Sequence, residues 1–147
     1  MNTVLTLSIT CISGAYLAGD YRFVLALQAD STLEELAACI LDVLGSDGDH
    51  YSELYVANTP HGKRAWSIWL GDPEEDADAA QARLCDIYPL GHNKKLYYRY
   101  DLGADWKFHI VRKGRETKAL EGQDYPMLVM EEGVKPLEYG DTDDGFC

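Results

Sequence analysis

At 147 residues the chain has length for one domain with a single core and too little for two of ordinary size. Its hydrophobic fraction of 46%, with ten tyrosines, supports that core without disulfide staples. With 25 acidic against 13 basic side chains the net charge is −12, which disfavours direct nucleic-acid binding, since that leans on Lys and Arg neutralising phosphates.

The N-terminus lacks the Lys/Arg of a secretory leader, and no apolar run approaches the length of a membrane span. A cytoplasmic setting without membrane contact is the expectation. Cys11, Cys39, Cys85 and Cys147 are widely spaced, with no C-x-x-C pair, and read as free reduced thiols.

In chain order, Thr3–Ile12 alternates Leu5, Leu7, Ile9 and Cys11 against Thr6, Ser8 and Thr10, the pattern of a strand with one wet face. Gly14 and Gly19-Asp20 punctuate the connection to a second alternating run, Tyr21, Phe23, Leu25 and Leu27. The link is too short for a helical crossover, so the two runs read as antiparallel. Ser31 as N-cap with Glu34 three residues on then predicts a helix. Leu33, Leu36, Ala37, Ile40, Val43 and Leu44 form its apolar stripe, and Gly45 stops it.

Tyr51–Ala57 predicts a third strand, and Trp66, Ile68 and Leu70 a further short one. Gly71–Asp78 is an acidic loop, and Ala79–Ile87 reads as a short helix with Ala80, Leu84 and Ile87 on one side. Lys95–Val111 is two period-two runs joined by an Asp/Gly turn, hence a hairpin. Pairing Asp101 with Asp105 sets Tyr100 against Trp106, Tyr98 against Phe108 and Leu96 against Ile110 on one face. The same register opposes Arg99 to Lys107 on the other face, a repulsion that a neighbouring strand with carboxylates would relieve. His109 falls on that second face and is expected to be solvated. Gly114–Gln123 is polar and reads as a loop, Met127–Met130 as a short strand, and 139–147 as an acidic, frayed tail. The whole is a single α+β domain over 1–138, mainly antiparallel sheet with one long helix packed on one face. Its strand–strand–helix opening is β-grasp-like.

The hairpin, Tyr98-x-Tyr100-Asp101-Leu102-Gly103-Ala104-Asp105-Trp106-x-Phe108-x-Ile110, resembles the Y-x-Y-D-F-G-D-D-W-x-[HF]-x-[IV] signature of the plasmid pRiA ORF-3-like family. Leu102 stands where relatives have an aromatic residue, and Ala104 where they have the first of two aspartates. Three further stretches are similar to that family: Thr32-Leu33-Glu34-Glu35-Leu36, Asp49-His50-Tyr51-Ser52-Glu53-Leu54, and Tyr125-Pro126 through Gly133 to Pro136. Members are often labelled passenger TnpR or resolvase-like proteins of insertion elements. That label names no demonstrated activity.

Asp101, Asp105, Trp106, Tyr98, Tyr100 and His50 are the residues from which a ligand or interaction site could be built. Two carboxylates and a histidine suit a divalent cation, yet ligand spacing is absent and Asp in a turn bonds nearby backbone N–H groups. The Tyr and Trp rings suit either a cleft or a core. No nucleophile elbow, phosphate loop, zinc pattern or dinucleotide fingerprint occurs, so no catalytic residue, metal or cofactor is assigned. The first expectation is a non-enzymatic interaction or accessory protein of mobile elements, with an unidentified protein partner. An enzyme or a ligand- or metal-binding protein using the hairpin is the alternative. A DNA-transaction protein, on the resolvase label alone, is the third.

Overall fold

The protein is seen here as a computed structural model that describes residues 3–14, 19–45, 52–70, 79–88, 90–100 and 106–134. The expectations for His50, Asp101, Asp105, the Gly71–Asp78 loop and the tail at 139–147 lie outside the described residues.

The two opening runs form β1 (Thr3–Ser13) and β2 (Tyr21–Gln28), antiparallel from Val4↔Gln28 to Cys11↔Tyr21. Helix α1 (Leu33–Leu44) follows, then β3 (Ser52–Ala57), β4 (Trp66–Leu70), a 3₁₀ turn at Ala79–Gln81 and the four-residue α2 (Leu84–Ile87). The chain continues through β5 (Lys95–Tyr100), β6 (Trp106–Arg112), β7 (Thr117–Lys118) and β8 (Met127–Gly133). Among the described residues these strands form one open, antiparallel sheet of order β4-β3-β5-β6-β1-β2-β8, with β7 on the start of β1.

One face of the sheet is dry. Leu5, Leu7 and Ile9 of β1, Phe23, Leu25 and Leu27 of β2, and Leu54 and Val56 of β3 join the buried stripe of α1 in a single core. That stripe, Leu33, Leu36, Ala37, Ile40 and Leu44, is the one the 3.6-residue period marks. At twelve residues α1 is of ordinary rather than great length, and of the grasp-like opening the structure has the order strand, strand, helix.

Four local expectations are corrected. The N-cap of α1 is Thr32 instead of Ser31: Thr32 Oγ1 accepts from the Glu35 N–H, and Glu35 Oε1 from the Thr32 N–H. The later segment decides this. Ser31 carbonyl accepts from Leu84 N–H, and Leu33 N–H donates to the Ala82 carbonyl, so Thr32 is held extended (φ −83°, ψ 164°) in a bridge to Arg83. The same bridge divides Ala79–Ile87, which is a 3₁₀ turn and a separate short helix because Arg83 is extended (φ −95°, ψ 153°). The polar stretch after β6 also holds β7, and β8 runs three residues past Met130.

Candidate interaction face

The hairpin has the register its alternation dictates: Leu96↔Ile110, Tyr98↔Phe108 and Tyr100↔Trp106. These rings face the core. Tyr98, Tyr100 and Phe108 have no exposed surface and Trp106 only 1%. The Tyr100 and Trp106 centroids lie 5.5 Å apart and those of Tyr98 and Phe108 6.4 Å, within the range of favourable ring contacts. Burial pushes the Tyr98 hydroxyl well above the usual phenol range. The structure thus brings three of the proposed site residues together as packing elements, with no surface left for a ligand.

The odd-numbered residues build the other face. Tyr55 on β3, Tyr97 on β5 and His109 on β6 are cross-strand partners and form a continuous stack, with centroid separations of 5.3 and 5.2 Å. His109 is therefore half-buried rather than solvated. Its pKa is lowered, chiefly by burial and further by the Lys95 ammonium. At the far end of the stack Arg64 lays its guanidinium over Tyr55, 3.7 Å from the ring centroid, a cation–π contact. The Tyr55 hydroxyl donates to the Pro60 carbonyl at 2.8 Å.

One row along, Glu53 answers the Arg99–Lys107 repulsion. It sits opposite Arg99 across β3 and β5, 3.9 Å from that guanidinium, and accepts from Arg64 Nε and Nη2 at 3.2 and 3.3 Å. Only 5% exposed, the carboxylate is a charge taken out of water and compensated by two cations. The bond to Glu53 in turn raises the pKa of Arg64. Further across the sheet Arg22 spans Ser8 Oγ (2.9 Å) and Glu132 (3.2 Å).

Alternation also places Lys95, Arg99 and Lys107 on this face, together with Trp69 and Val111, which are 38% and 40% exposed. A chain of net charge −12 thus gathers cations and apolar surface on one side of its sheet. The sequence shows which residues of the hairpin share that side. It does not show Tyr55 or Glu53 joining them, because β3 reaches β5 over a connection of 37 residues, 58–94. Among the described residues no group of His, Cys, Asp and Glu is disposed to hold a metal ion. Cys11, Cys39 and Cys85 are free thiols, and burial raises the first two to about 11.

Residues 22–146 match the family described as plasmid pRiA4b ORF-3-like protein. The chain belongs to this family. The match starts inside β2, so β1, flanked by β2 and β6 in the sheet, lies ahead of the matched region. The fold is similar to the crystal structure of MM3350, a protein of unknown function from Methanosarcina mazei Go1. The TM-score is 0.68 at 21% identity, over 89% of this chain and 70% of that one. No curated protein matches the sequence. Neither the family's description nor that neighbour's name carries an activity. No helix among the described residues is long and apolar enough to cross a membrane.

Proposed function

We propose that this family member is a non-enzymatic, cytoplasmic interaction protein associated with mobile elements, and that the outer sheet face docks an acidic segment of a partner protein. The observation that carries the reading is the grouping of charge: Arg22, Lys95, Arg99 and the largely buried Lys107 share one face of a strongly acidic chain, with Glu53 and Glu132 paired among them. The plasmid in the family's description supports the mobile-element setting. Duplex DNA fits the face less well than a short acidic segment. A rod carrying one charge per ~1.7 Å extends past the cations and meets the acidic remainder. Of the alternative site at the hairpin, Trp106, Tyr98 and Tyr100 fill the core, while Asp101, Asp105 and His50 lie outside the described residues.

The test is fluorescence anisotropy of a labelled Glu/Asp-rich peptide. Binding should weaken with added salt and fall about tenfold or more in Lys95→Glu, whose exposed side chain leaves the fold intact. Equal binding by wild type and variant, or displacement of the peptide by an unrelated DNA duplex at micromolar concentration, would overturn the assignment.

A further inference from the structure

Two turns meet beside β3 and β5. In the first, Gly62 N–H donates to the Thr59 carbonyl at 3.1 Å, with Pro60 and Gly62 at the positions where β-turns favour them. In the second, Lys94 N–H donates to the Gly91 carbonyl at 3.2 Å, and Asn93 takes a positive φ of 60°. Each turn delivers a basic pair into the sheet, Lys63-Arg64 before β4 and Lys94-Lys95 at the start of β5. Lys94 Nζ joins the turns by donating to Asn58 Oδ1 at 3.0 Å. Between them lies a pocket of about 440 Å³ lined by Asn58, Lys63, Arg64, Ala65 and Lys94.

The lining is rich in donors and poor in acceptors. Arg64 is held on three sides: Glu53 takes its Nε and Nη2, the Gly62 carbonyl takes Nη1 at 3.1 Å, and the Tyr55 ring lies against its plane. Three of its five N–H groups are used, which leaves two, fixed in direction by those contacts. Lys94 spends one donor on Asn58, and Lys63 has no hydrogen-bond partner among the described residues. No carboxylate is among the described lining residues.

We propose that this pocket is a binding site for a phosphate group, either free phosphate or the phosphate of a small phosphorylated metabolite. Three cations with preset and adjustable donors suit the several acceptor oxygens of a phosphate better than the two of a carboxylate. The volume holds a group larger than the bare anion. Arg64 also closes the end of the Tyr55–Tyr97–His109 stack, so the pocket borders the proposed docking face, but Lys63 and Lys94 can be changed without touching the Tyr97–His109 pair.

Isothermal titration calorimetry of the whole chain, with inorganic phosphate, adenosine monophosphate and acetate as probes, tests it. Phosphate or the nucleotide should bind, acetate should not, and Lys63→Gln and Lys94→Gln should each weaken binding about tenfold, the loss of one charge-assisted hydrogen bond. Equal affinity for both phosphates assigns the site to the free anion, and tighter nucleotide binding to a phosphorylated metabolite. Absence of binding by both phosphates, equal binding of acetate, or affinity unchanged in both variants would overturn the proposal.

Discussion

The two faces of the β5–β6 hairpin use the same residue types for different ends. Toward the core, Tyr98, Tyr100, Trp106 and Phe108 meet the stripe of α1 and the inner residues of β1 and β2, in one large buried cluster. Toward the outside, Tyr97 belongs to a satellite of three residues, with Tyr55 and Ala57, held by ring stacking and by Arg64 and His109 at its ends. Adjacent tyrosines thus do different work. The inner rings fix the fold, and the outer ones carry a polar, cationic surface in place. The described rings of the family's signature motif are packing residues in this chain, and the surface beside them is the face proposed above for docking.

The comparison can be broken at its inner side first. Trp106→Ala removes a side chain 1% exposed from the large cluster and should cost about 3–5 kcal/mol, read as a fall in urea midpoint at constant slope. A variant as stable as the wild type would mean that the inner rings do not hold the hairpin. On the outer side Glu53→Gln keeps the shape and removes the charge that compensates Arg64 and Arg99. Loss of a fully buried partner costs about 3–5 kcal/mol, but these arginines are 28–29% exposed, and water screens the charges left behind. The expected loss is therefore smaller, about 1–3 kcal/mol, by the same titration.

The smallest effect concerns pH. Burial and Lys95 depress the pKa of His109, so the folded chain binds its proton less readily than the unfolded chain does. Its contribution to stability is complete above the unfolded value near ~6.5 and is lost as pH falls through that value toward the folded one. Denaturation midpoints measured from pH 7.5 to 5 should decline, and His109→Gln should flatten part of that decline. An unchanged profile would place His109 outside the stack.

Much of the inner face is legible in the sequence because it depends on neighbours along the chain. A period-two run, a short turn and a second run fix the register of Tyr100 on Trp106 without reference to anything distant. The same register exposes the Arg99–Lys107 conflict and hence the need for a carboxylate, though not that Glu53 supplies it. What escapes is set by tertiary pairing. Thr32 takes the N-cap from Ser31 because residues 82–84 dock there, some fifty positions later. His109 looks solvated by alternation alone and is half-covered because Tyr97 stacks on it. The basic pocket is invisible for the same reason, since its two turns are separated by β4, α2 and their connections.

The most direct test of this division compares two neighbours of one residue type. Tyr97→Ala and Tyr98→Ala delete the same atoms from opposite faces of β5, and their urea midpoints can be measured side by side. The main cluster cannot close around the missing Tyr98 ring, so that loss should reach about 3–5 kcal/mol. The satellite at Tyr97 can relax toward solvent, and its loss should be smaller by about 2 kcal/mol. A Tyr97 variant that loses as much as the Tyr98 variant, or more, would contradict the account.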